Sequence, residues 1–115
     1  MAHYAYLDEN NVVVNVIVGK DENELIDGLD TETYYAQGTS YTVKRTSYNS
    51  NIRGVYAGVG FTYNPDEDIF ITPQPYPSWI RSGSFWNAPI PMPAEGKWYW
   101  DEENLNWVEN ETPSI

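Results

Sequence analysis

Two segments of this 115-residue chain carry proline at alternate positions, Pro73-Gln-Pro75-Tyr-Pro77 and Pro89-Ile-Pro91-Met-Pro93. Each proline fixes φ and removes a backbone donor, so neither segment can be a helix or an interior strand. Extended polyproline-type spacers are expected there, rising about 3.1 Å per residue. Such spacers cut the last third of the chain into pieces long enough only for turns and small hairpins.

The residues between the prolines fit that reading, because a theme repeats. Phe61-Thr-Tyr63 and Ile69-Phe-Ile71 flank the polar turn Asn64-Pro-Asp-Glu-Asp68. Trp79-Ile80 and Phe85-Trp86 flank Arg81-Ser-Gly-Ser84, and Trp98-Tyr-Trp100 and Leu105-Asn-Trp-Val108 flank Asp101-Glu-Glu-Asn104. Each unit is two short aromatic arms around a turn, the pattern of a hairpin with cross-strand aromatic pairs. Alternation places Trp98 and Trp100 on one face, with Leu105 and Trp107 sharing a face on the returning arm. Isolated hairpins are marginal in water, so these need a surface to lie on. That surface is the N-terminal sheet, a second copy of the chain or a larger assembly.

The first half reads as a small antiparallel sheet. Residues 3–18 predict a hairpin turning at Asp8-Glu-Asn-Asn11, and the β-branched run Val12-Val-Val-Asn-Val-Ile-Val18 predicts a strand covered on both faces. Asp21 to Leu29 is the one helical candidate, with Asp21 as cap and Leu25 and Leu29 a turn apart. Tyr41–Tyr48 and Val55–Tyr63 predict two more strands, the latter interrupted by Gly58 and Gly60. The expected class is therefore mainly β: a small antiparallel N-terminal sheet with one short helix, then aromatic hairpins on Pro-x-Pro-x-Pro spacers. The expected division is a β-rich core at 1–72 and an extended Pro/Trp-rich hairpin arm at 73–115, the two forming one folding unit.

Composition excludes much chemistry. Six Lys and Arg stand against seventeen Asp and Glu, a formal charge of −11, which argues against binding nucleic acid or an anionic membrane. Cys is absent, which removes thiol nucleophiles and thiolate zinc sites, and His occurs once, so imidazole triads and poly-His metal sites are hard to build. No cofactor is expected. The start lacks a signal-peptide pattern and no apolar run is long enough to span a bilayer, so a soluble protein is expected. Residues 33–65 contain no acid but carry Lys44, Arg45 and Arg53. These cations either pair with acids of the same chain or form a docking patch for an acidic partner.

Thr46-Ser-Tyr-Asn-Ser-Asn-Ile-Arg53, Tyr56-Ala-Gly-Val-Gly-Phe-Thr-Tyr63 and Phe70-Ile-Thr-Pro-Gln-Pro-Tyr-Pro-Ser-Trp79 carry a resemblance, as do the opening residues 1–11 and the closing Trp100-Asp-Glu-Glu-Asn-Leu-Asn-Trp107. In these segments the chain resembles a group of small proteins encoded by tailed phages of marine cyanobacteria and other marine bacteria. The likeness spans most of the chain except the region around Asp21 to Gly38. It implies a phage origin and a virion role, with no activity that transfers residue by residue.

Sharper readings of single motifs compete with plainer ones. His3 as a metal ligand has no second His to join it. Asp66-Glu-Asp68 and Asp101-Glu-Glu103 lack the ligand spacing of a calcium loop, and as solvated turn tips they would not form a glycosidase pair. Asn110-Glu-Thr112 matches the glycosylation pattern, but no secretory signal accompanies it. Trp79, Trp86, Trp98, Trp100 and Trp107 read as packing or interface residues before they read as a sugar-stacking platform.

The function expected from these residues is a non-enzymatic virion structural protein, a capsid decoration or cement subunit or a tail accessory. Its partners would be other virion proteins or itself, met through the five tryptophans and through Lys44, Arg45 and Arg53. The alternative is a tail-associated carbohydrate-binding module that stacks host glycans on Trp faces. A cytosolic factor that binds a host protein is a third reading.

Overall fold

The computed structural model describes residues 2–21 and 23–110; part of the Asn110-Glu-Thr112 tripeptide lies outside them. The chain is mainly β with one short helix, and it divides into two compact units, Met1–Pro73 and Gln74–Ile115.

In the first unit, β1 (Ala2–Leu7) is central in an antiparallel sheet of order β2-β1-β3, with β2 at Val13–Gly19 and β3 at Thr42–Thr46. Asp8 makes the first turn: its Oδ1 accepts the Asn10 and Val12 N–H groups at 2.8 and 3.0 Å, while Asn11 takes φ +62°. A bulge between Tyr6 and Leu7 resets the register to Leu7↔Val13. β1, not β2, is the strand covered on both faces. Tyr4 and Ala2 pack with Val43 beneath Tyr35 and Ala36 on one side. Ala5 and Leu7 join Val13, Ala57, Tyr63 and Phe70 on the other. β2 is an edge, and Val14 and Val18 remain exposed on it.

The helix, α1, is Thr31–Ala36 and not the expected Asp21–Leu29. Around Asp21–Leu29 the chain turns back on itself, with Ile26 and Leu29 exchanging backbone hydrogen bonds at 2.9 and 3.0 Å around Asp27 and Gly28, both at positive φ. Leu25 is left 72% exposed, so no apolar stripe forms. Asp30 is the effective cap: its carboxylate accepts the Thr33 N–H at 3.1 Å and the Thr33 hydroxyl at 2.6 Å. Tyr35 then lies against Tyr4, 4.9 Å between centroids.

The expected strand at 55–63 contracts to β4 (Thr62–Asn64), paired with β5 (Ile69–Ile71). Gly58 and Gly60 break the alternation, and Gly60 takes φ +93°. β4 is anchored through Tyr63 N–H to Asn11 O and Val13 N–H to Phe61 O, each 2.8 Å.

The second unit has two hairpins, β6 (Ile80–Ser82) with β7 (Phe85–Asn87) and β8 (Trp98–Asp101) with β9 (Asn106–Glu109). Gly83 supplies the positive φ that the two-residue turn of the first requires. The β8–β9 hairpin repeats β4–β5 closely. Asn64 Oδ1 accepts the N–H groups of Asp66 and Glu67, as Asp101 Oδ1 accepts those of Glu103 and Asn104. Asp68 and Leu105 close the two turns at φ +55° and +51°. Tyr63 faces Phe70 just as Trp100 faces Trp107. Leu105 therefore sits in a turn and does not share a strand face with Trp107.

Neither proline segment belongs to a strand or helix, yet the expected straight spacers are not seen. Gln74 donates through Nε2 to Pro77 O and Trp79 O, both 3.2 Å, and Trp79 N–H donates to Tyr76 O at 3.1 Å. These bonds bend the first segment into a turn. Among the described residues no helix is long and apolar enough to cross a membrane.

Candidate functional site

All five tryptophans belong to the unit Gln74–Ile115. Register sets Trp100 opposite Trp107, 5.2 Å between centroids, and the turn at Tyr76–Trp79 delivers Trp79 to 6.0 Å from each. The interplanar angles of 64–88° make all three contacts edge-to-face. Glu102, at the head of the last turn, gathers the donors around this cluster. Its Oε1 accepts Trp100 Nε1–H at 2.8 Å and the Ser78 hydroxyl at 2.6 Å, and its Oε2 accepts Ser78 N–H at 3.1 Å. These bonds, Ser78 first, hold the Glu102 carboxyl below the usual range. Trp79 Nε1–H is buried without a hydrogen-bond acceptor among the described residues. The rings packed against Trp79 are those of Trp100, Trp107 and Tyr76, whose π faces are weak acceptors.

Beside the cluster lies a groove of about 430 Å³ walled by Trp79, Trp86, Trp107, Ile90, Pro91 and Met92. Trp107 Nε1–H donates to Ile90 O at 2.7 Å, so the second proline segment is a wall of the groove, pinned from within. Trp98 stands apart, its Nε1–H donating to Glu95 O at 2.6 Å. Of the five predicted tryptophans, then, three form a cluster, Trp86 joins two of them at the groove, and Trp98 fastens a loop. Ser78, Ile90 and Met92 were not read from sequence as site residues. Glu102 looked like a solvated turn acid, and only the return of Ser78 to it reveals its role.

In the first unit Arg53 is held by acids of the same unit. Arg53 donates from Nη1 to Glu32 Oε2 at 2.7 Å and to Arg45 O at 3.0 Å, and from Nε to Asp68 Oδ1 at 2.9 Å. Arg45 N–H also donates to Glu32 Oε2, at 2.6 Å. Asp68 accepts a short bond from the Tyr63 hydroxyl. That bond and the Arg53 charge lower its pKa, whereas burial, followed by the hydrogen bond and charge of Asp68, pushes Tyr63 up to about 12. Lys44 Nζ lies 5.7 Å from the Tyr63 ring centroid, a cation–π contact. Arg53 is thus committed within the chain, and Asp68 is tied to Arg53 and Tyr63 and is not a free turn tip. Among the described residues no group of three or more His, Asp or Glu could hold a metal ion.

No family model, curated protein or solved structure matches this chain.

Proposed function

We infer that this chain is a non-enzymatic binding subunit whose second unit docks on another protein. Following the resemblance in sequence, we place it in a phage particle as a capsid or tail accessory. The observation that carries the docking reading is the β6–β7 hairpin, which has apolar side chains on both faces. Trp86 faces the groove, whereas Ile80 and Phe85, on the opposite face, are 63% and 57% exposed. A hairpin of two three-residue strands with apolar residues on both faces is poorly stable in water and well suited to burial under a partner. Six carboxylates against two cations in 74–115 favour a partner with a basic rim around an apolar centre.

The test is quantitative mass spectrometry of density-purified particles of the source phage, with an Ile80→Ser/Phe85→Ser variant supplied in parallel. Copies in a simple ratio to the major capsid protein support a lattice subunit, and a handful per particle support a tail component. In both cases the variant should be excluded from particles although folded. Complete absence of the parent chain from particles would refute the virion placement, and undiminished incorporation of the variant would refute the docking face.

A further inference from the structure

The first unit carries a second cleft, independent of the docking face. It measures about 520 Å³ and is lined by Ala2, His3, Asp21, Asn23, Arg45, Thr46, Ser47, Tyr48, Asn49, Asn51 and Ile52. We propose that this cleft binds a neutral sugar residue, with Tyr48 as the stacking platform and Asn49 and Asn51 as the groups that read the hydroxyls.

The platform is exposed and braced. Tyr48 is 70% exposed, yet its ring is stacked on His3 at 5.9 Å and 29° and met edge-on by Tyr56 at 5.5 Å. Tyr56 also contacts His3 at 5.5 Å and 85°, closing a three-ring brace behind the platform. With Tyr48 held between His3 and Tyr56, most of its surface still meets solvent. A pyranose offers a patch of C–H groups to such a surface, and aromatic rings supply apolar area at low entropic cost.

The loop that carries the polar groups is fixed by its own backbone. Ser50 N–H donates to Ser47 O at 2.9 Å, Tyr56 N–H to Ser50 Oγ at 3.1 Å, and Ala57 N–H to the buried Thr46 Oγ1 at 2.9 Å. Ser50 and Arg53 hold positive φ within it. The side-chain amides of Asn49 and Asn51 take no part in this scaffold and have no partner among the described residues. Each offers two donors and a carbonyl acceptor, the mixed set that vicinal hydroxyls require. A loop whose backbone is already fixed, with two exposed amides beside the ring, loses little backbone freedom on binding.

Charge selects the ligand class. Among the described residues the lining carries Asp21 and Arg45, one carboxylate against one guanidinium. Nucleotides could also stack on Tyr48, but their phosphates would approach a chain of charge −11. A neutral glycan carries no such penalty.

The test is saturation-transfer-difference NMR on the full chain, with glucose, galactose, mannose and N-acetylglucosamine, their simple disaccharides, and adenosine as a neutral stacking control. At least one sugar should show saturable transfer to its C–H protons. Tyr48→Ala should weaken its Kd at least about tenfold, Tyr48→Phe should preserve it, and Asn51→Ala should weaken it severalfold, with unchanged urea midpoints in all three. Trp86→Ala should leave binding unaffected. Absence of saturable transfer from every sugar would overturn the proposal. So would binding of adenosine alone, or sugar binding lost in Trp86→Ala but kept in Tyr48→Ala.

Discussion

Trp100→Ala isolates what holds the second unit together. Trp100 is 6% exposed and makes edge-to-face contacts with both Trp79 and Trp107. Truncating a buried Trp to Ala costs about 3–5 kcal/mol, and here the Glu102 carboxylate also loses its indole donor. The unit Gln74–Ile115 has no disulfide. A core of that size rarely supplies more than about 3–5 kcal/mol. The substitution therefore removes about as much as the unit has, and most of these residues should unfold. Trp100→Phe keeps a ring in the cluster but drops the donor to Glu102, and should leave the unit folded with a lower melting point. Because every Trp lies in 74–115, Trp emission excited apart from Tyr reports on this unit alone. Trp100→Ala should move the emission to the wavelength of solvated indole, and amide spectra should retain the resonances of β1–β3. Native emission and an unchanged melting curve in Trp100→Ala would show that the cluster is not the core, and the energetic argument would fall.

Other outcomes follow from the first unit. Tyr63, with a folded pKa of about 12 against about 10 unfolded, adds stability that is complete below about pH 10 and lost as pH rises through about 12; an absorbance titration should show a late-ionising phenol that disappears in Tyr63→Phe. Asp68 is shifted the other way, so its contribution is present above the unfolded carboxylate value of about 3.9 and lost as pH falls through the lower folded one. Urea midpoints of Asp68→Asn should accordingly change less with acid than those of the parent. Asp30→Ala, which removes both bonds to Thr33, should lower the urea midpoint, and Asp30→Asn should lower it much less. Gly19→Ala would place a Cβ 2.6 Å from the Tyr35 hydroxyl, which accepts Lys20 N–H; a loss of about 1–3 kcal/mol is expected, largely absent in a Tyr35→Ala background.

The hairpins were legible because turn chemistry is local: Asp8, Asn64 and Asp101 each cap the amides that follow, and aromatic or β-branched arms flank them. The helix was not. Asp21 and Asp30 offer the same capping signal, and only Asp30 precedes a residue, Tyr35, that the sheet can bury against Tyr4. The burial of β1 rather than β2 depends on strand order, which the Val/Ile run does not encode. Among the candidate residues, the aromatic character of the Trp cluster was visible, but the roles of Glu102 and Ser78 depend on contacts 24 residues apart. The pairing of Arg53 was readable only as one of two alternatives, since charge composition does not say which acid comes near.

The Glu32–Arg53 pair has a consequence that its energy does not measure. Partly exposed ion pairs contribute little to stability. This one, however, occupies both outward backbone groups of Arg45: Glu32 accepts its N–H and Arg53 donates to its carbonyl. β3 borders the sheet on one side, and an unpaired border strand is a template on which a foreign strand can add. With Arg45 already hydrogen-bonded to two side chains, an incoming strand would have to break an ion pair to pair with that residue. That plug guards the β3 border at Arg45 and leaves the opposite border, β2, as it is.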